Sequence, residues 1–146
     1  MKLNPQLLAL FTAMAWGIGG YFEKKGLHLG GFSPQLGITI RTSVAFLILA
    51  TVSFSEWKNL LTTENKMSIV MMVIGGGVVA GAIGMLCFYS ALKGAASLNE
   101  VMPIAFTSPF FGAVIGLLMG TEKMTPQLGF GMLLTMAGIA LVATAK

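Results

Sequence analysis

Apolar positions along the chain gather into five long runs, at about 7–22, 34–54, 67–92, 100–120 and 126–143, with short polar stretches between them. Each run is close to the ~20 apolar residues with which a helix crosses the hydrocarbon core of a bilayer. The pattern predicts an all-α integral membrane protein of five transmembrane helices, folded as a single transmembrane domain over 1–146. Three runs open alike, with Asn4-Pro5-Gln6-Leu7, Ser33-Pro34-Gln35-Leu36 and Thr125-Pro126-Gln127-Leu128. Asn, Ser and Thr accept a hydrogen bond from the free N–H groups of a helix start. Proline suits the first helical position, where no N–H is needed. The fourth run opens differently, with Ser97 and Glu100 at capping-box spacing. Between the second and third runs, Trp57, Leu60 and Leu61 share one helical face, which predicts a short helix lying on the membrane surface. The third run is long enough that it must either tilt or end before Lys93.

Composition narrows the class. The mean hydropathy is +0.85 and charged residues make up 10% of the chain, where soluble domains carry roughly 25%. The net charge of +4 comes from lysines scattered through separate loops rather than from a patch, so it does not point to nucleic acid. It fits anchoring to membrane lipid. Lys2 and the apolar run after it imitate a signal peptide, but the Asn-Pro helix start favours a retained span.

Five crossings place the termini on opposite faces. Lys2, Lys58, Lys66 and Lys123 then share one face, and Lys24, Lys25, Lys93 and Lys146 the other, with Arg41 just inside the second span on that side. Orientation follows the Lys and Arg bias between loops, and this chain has almost none. Insertion in both orientations is therefore expected.

Chemistry-bearing residues are sparse. The chain has no aspartate, one histidine (His28, expected in a loop) and one cysteine (Cys87, expected to pack as a small apolar group). No metal site or catalytic nucleophile–base set can be assembled from these, so no cofactor and no enzyme activity are expected. Charge inside the membrane is costly and marks partners or cavities. Arg41 lies about 10 Å deep at a rise of 1.5 Å per residue. Glu23 and Glu100 stand at the same side, and Arg41 can pair with either, bind a headgroup-like anion or snorkel. Glu100 is equally a helix cap. Pro103 and Pro109 interrupt the fourth span around Phe106, and such breaks are tolerated where protein or a cavity covers the freed carbonyls. Trp16, deep in the first span, and Tyr89, in the third, each pack in the bundle or face a cavity.

Small residues crowd the last three spans. Gly75, Gly76, Gly77, Gly81 and Gly84 lie in the third, and Gly112, Gly116 and Gly120 recur every fourth residue in the fourth. Spacing of this kind lets membrane helices approach closely.

The order of these features resembles one half of a drug/metabolite transporter, the EamA-type domain, over essentially the whole chain. The likeness rests on Phe88-Tyr89-Ser90-Ala91-Leu92-Lys93, Ala96-Ser97, Pro103, Ser108-Pro109 and Gly120-Thr121-Glu122, and more loosely on Ala15-Trp16-Gly17 and Arg41. The fifth span, Gly131-Met132-Leu133-Leu134-Thr135-Met136-Ala137-Gly138, is similar to the dimerisation stretch of small multidrug resistance proteins. That likeness implies a subunit interface at Gly131 and Gly138, a face that another helix of the same chain could also fill. One departure stands out. The small multidrug resistance family couples transport to protons through a glutamate in its first helix, and here the run 7–22 has no acid.

The family resemblance implies one half of an inverted-repeat transporter, made whole by an antiparallel homodimer working by alternating access. Expected substrate-site residues are Trp16, Arg41, Tyr89 and Phe106, with Tyr21 and Glu100 as weaker members. The solute is a small organic metabolite or amphipathic compound, and the setting a bacterial or archaeal inner membrane. The alternatives are an assembly subunit of a membrane complex, or half of a heterodimeric transporter or lipid flippase.

Overall fold

The computed structural model describes residues 4–62, 64–95 and 97–144, without the side chain of Leu61. Lys2 and Lys146 of the charge balance, Ala96 of the family motif and the Leu61 member of the surface-helix face lie outside the described residues. The described residues are helical and contain no strand. Among the described residues, four helices are long and apolar enough to cross a membrane: Pro34–Val52, Lys66–Gly94, Leu98–Leu118 and Pro126–Thr144. The chain divides into two compact units, Met1–Lys93 and Gly94–Lys146.

In the first unit, α1 spans Pro5–Leu29 and α2 spans Pro34–Val52. Both start as expected. The Asn4 side chain accepts from the Gln6 N–H at 3.0 Å, and Ser33 Oγ accepts from the Leu36 N–H at 3.2 Å. α1 runs past the apolar stretch, through Glu23, Lys24 and Lys25, and His28 lies in its last turn rather than in a loop. Gly26 does not stop it, because glycine inside a helix costs only ~1 kcal/mol. The stop comes at Gly31, whose φ of +59° is a left-handed conformation that a β-carbon disfavours. That charged last third, with Gly17, Gly19 and Gly20 diluting the apolar part, sets α1 apart from the four helices above.

A short turn, Phe54–Glu56, leads into α3, Trp57–Thr62, the expected short helix after the second span. Trp57 Nε1 donates to Ser53 Oγ at 3.2 Å, which fixes the ring against the end of α2. The third span is α4 (Lys66–Met71), a wider-wound π-helical stretch (Met72–Gly84) and α5 (Met85–Gly94), a helical stretch of 29 residues. It continues through Lys93 instead of ending before it. Glycine permits the wide winding. A β-carbon at Gly81 would stand 2.9 Å from the Gly76 carbonyl oxygen, and one at Gly84 3.4 Å from that of Val79. Each is the carbonyl five residues back, the partner in π-helical bonding. Cys87 is exposed on this span, not packed.

In the second unit, α6 spans Leu98–Ala105, α7 spans Ser108–Leu118 and α8 spans Pro126–Thr144. Ser97 Oγ accepts from the Asn99 N–H at 3.0 Å, so Ser97 caps α6, while the Glu100 side chain is exposed in its first turn. Thr125 Oγ1 accepts from the Leu128 N–H at 3.2 Å, the third of the expected helix starts. Pro109 sets the break between α6 and α7. It lacks an N–H and its ring excludes the carbonyl four residues back, so helical bonding stops at Phe106 and restarts at Ser108. α7 ends at Gly120, with φ +69°, and Thr121 and Glu122 fold back to donate to the Gly116 carbonyl at 2.9 and 3.1 Å. Gly116 must be small there, since a β-carbon would meet Glu122 Cγ at 2.5 Å. α8 packs against α6. Gly129, Met132, Met136 and Ile139 are half-buried, whereas Gly131 and Gly138 stand on another face with nothing of the chain within 4 Å of an added β-carbon.

Candidate functional site

The site grows from the hairpin of α1 and α2. Only four residues link these helices, so they run antiparallel as neighbours. Residues equidistant from the turn then lie side by side. Glu23 and Arg41 are one such pair about Phe32, and Leu27 and Gly37 another, four residues nearer the turn on the same face. The structure joins both pairs. Arg41 Nε meets Glu23 Oε1 at 2.8 Å. A β-carbon on Gly37 would stand 2.6 Å from Leu27 Cδ2.

α5 closes the third side. Lys93 Nζ donates to the Leu27 carbonyl at 3.2 Å, and His28 Nε2 pairs with the Leu92 carbonyl at 3.3 Å. These bonds use carbonyls at the end of α1 and the end of α5, which lack partners within their own helices. Below them sit the buried side chains of Leu27, Tyr89 and Leu92. The Tyr89 ring lies over Gly37, with Cε1 and Cδ1 at 3.0 and 3.1 Å from where a β-carbon would be. Tyr89 and Glu23 line one cavity together.

Around this cluster is a cavity of about 290 Å³. Phe22, Leu27, Phe32 and Ile40 give it apolar walls, and Glu23, Arg41 and Tyr89 its polar groups. An apolar pocket with a few convergent polar groups is the usual form of a small-molecule site. Glu23 is the more enclosed partner, its side chain 21% exposed against 42% for Arg41. Arg41 lies within a helix apolar enough to cross a membrane, where an unpaired charge is costly, and Glu23 supplies its counter-charge.

Of the residues singled out from sequence, Arg41 and Tyr89 line this cavity together. Trp16 and Tyr21 do not line it, although both are on α1. Both are more than half exposed, and the Tyr21 ring lies under Lys25 Nζ, 5.9 Å from its centroid. Phe106 and Glu100 belong to the second unit. Phe106 is half-buried at the break between α6 and α7, and Glu100 is exposed. Pro103 lies inside α6 and Pro109 at the start of α7. Sequence reasoning missed Phe22, Phe32 and Gly37. It reached Glu23 only as a partner for Arg41, while the hairpin register would have supplied Gly37 as well. A second cavity, about 210 Å³, lies where α7 folds back through Gly120 and is lined in part by Glu122, Lys123 and Met124. It holds none of the expected site residues.

Gly37→Ala tests the packing of the main cavity. The added methyl has to displace Leu27 or the Tyr89 ring, both buried. Overpacking of this kind typically costs ~1–3 kcal/mol. A clear drop in thermal unfolding temperature in detergent is expected, with Gly26→Ala as a control, since a β-carbon there meets nothing within 4 Å.

Long apolar helices define a helical integral membrane protein, here with an ion pair beside a cavity. The profile of the EamA-like transporter family matches residues 4–144. The chain belongs to that family, whose members are membrane transporters of small solutes. No curated protein and no solved structure matches it.

Proposed function

We propose that the chain transports a small organic solute by alternating access, as an antiparallel homodimer of five-span subunits. The fifth crossing is α1, through its apolar stretch. The two units act as one transport domain, half of an inverted repeat that the second copy completes. The proposed substrate-site residues are Arg41, Tyr89, Trp16 and Phe106, with Tyr21 and Glu100 as weaker members. Pro103 and Pro109 give the bent helix its break. Gly131 and Gly138 form the subunit interface. The setting is a bacterial or archaeal inner membrane, and the activity is transport rather than catalysis.

The observation that carries the reading is the Glu23–Arg41 pair beside a cavity within a membrane transporter family. Support for the dimer comes from the balanced lysines and from the open Gly131 and Gly138 positions on α8.

Two C-terminal reporters, each active on one side of the membrane, test the orientation. Both are expected to give signal from the wild-type chain. A single clean orientation sinks the antiparallel homodimer and leaves a heterodimer with an oppositely oriented relative. An uptake and efflux screen in cells, with Arg41→Ala as the control, tests transport itself. Loss of a phenotype in that variant is expected, and an unchanged phenotype removes Arg41 from the site.

A further inference from the structure

The charges around the main cavity are unequal in availability. Glu23 is held by Arg41 at 2.8 Å and is the less exposed partner. Arg41 is the more exposed, and a guanidinium carries five N–H donors in a planar fork. One carboxylate engages at most two of them in the bidentate geometry, so donors remain for a second anion. The surroundings tilt the same way. Lys24 and Lys25 follow Glu23 on α1, and Lys93 reaches the end of that helix through the Leu27 carbonyl. With Arg41, that is four cationic side chains at this end of the unit against the single carboxylate of Glu23. An organic cation would find Glu23 already neutralised and a surplus of like charge around it. An oxyanion would find spare donors and a favourable field.

The remaining wall sets the rest of the ligand. Phe22, Phe32, Leu27 and Ile40 offer apolar and aromatic surface, and about 290 Å³ is small for a ligand site. This suits a molecule the size of an aromatic amino acid, not a large drug.

We propose that the cavity binds an oxyanion, a carboxylate or phosphate, carried at one end of a small apolar molecule, and that Arg41 receives it while keeping Glu23 as its resident counter-ion. This rests on the transporter reading, and its test separates the two. Glu23 repels an incoming anion and offsets part of the Arg41 charge, so neutralising Glu23 strengthens binding. A site for cations makes the opposite demand.

The full-length chain in phosphatidylcholine nanodiscs is titrated with radiolabelled hydrocinnamate. Hydrocinnamyl alcohol and phenylpropylamine serve as neutral and cationic competitors of the same shape, and phenyl phosphate as the alternative oxyanion. Hydrocinnamate is expected to bind and to be displaced by phenyl phosphate but by neither other competitor. Arg41→Gln is expected to weaken binding at least about tenfold, or 1.4 kcal/mol. Arg41→Lys, which keeps the charge but loses the fork, should fall between the two. Glu23→Gln should bind several-fold more tightly. Displacement by the amine, or loss of binding in Glu23→Gln, overturns the proposal. Replacing part of the lipid by phosphatidylglycerol decides the source: displacement of the probe identifies a lipid headgroup, and none identifies a free solute. Solute flux into proteoliposomes is read in parallel. Flux of a neutral or cationic solute that survives Arg41→Gln keeps the transporter and ends the oxyanion. Hydrocinnamate binding without any flux does the reverse.

Discussion

Arg41→Ala is expected to cut solute flux at least about tenfold and to lower the stability of the chain. The two effects have different causes. Stability falls because Glu23, 21% exposed, loses its partner. Breaking a fully buried pair costs about 3–5 kcal/mol, but Arg41 is 42% exposed and water or headgroups soften the loss, so about 1–3 kcal/mol is the expected range. Flux falls because the only guanidinium in the chain is gone from the cavity wall. The double variant Glu23→Gln with Arg41→Gln separates them. Two amides can hydrogen-bond across the same gap without burying charge, so unfolding temperature should recover most of the loss. Flux should stay low. Recovery of both would reduce the pair to a structural tie.

The second large effect is on assembly. Leucine at both Gly131 and Gly138 is expected to turn a dimer into a monomer, read by light scattering on the detergent-solubilised protein. The chain itself should fold as before. An added β-carbon meets nothing within 4 Å at either position, and α8 turns a different stripe, with Met132 and Met136, inward. Leucine also raises helix propensity over glycine by ~1 kcal/mol per site. Any loss of dimer therefore comes from the second copy, whose helix can no longer approach backbone to backbone. An unchanged dimer moves the interface elsewhere.

Much of the fold was legible because it is local. Asn4, Ser33 and Thr125 cap helices where the sequence places them, since a cap needs only its own next three residues. Pro109 breaks the fourth span for an equally local reason. What escaped depends on bonds between distant residues or on winding. Nothing in Gly75–Gly76–Gly77 distinguishes a face for helix packing from a backbone freed to wind wider, and the structure uses Gly81 for the latter. The end of α1 was misplaced because the apolar run stops at Phe22 while helical bonding continues to Leu29. His28 and Lys93 then tie that extra length to α5.

Within the site, the position of Arg41 in the second span was readable from the sequence, and its pairing with Glu23 was one of two open choices. Register decides between them. A hairpin turning at Phe32 places Glu23 beside Arg41. The aromatic residues divide. Tyr89 lines the cavity, while Trp16 and Tyr21 lie elsewhere on α1, because periodicity alone does not show which side of a uniformly apolar helix turns inward.

In the proposed assembly this chain, with no other polypeptide, builds a solute pathway. Purified protein alone, reconstituted into proteoliposomes, tests it most directly by flux of a labelled small apolar carboxylate. Flux above that of empty vesicles is expected, lost in Arg41→Ala and in the Gly131→Leu, Gly138→Leu variant. A dimeric, folded protein that carries no flux by itself, and gains it only with a co-purified partner, would contradict it.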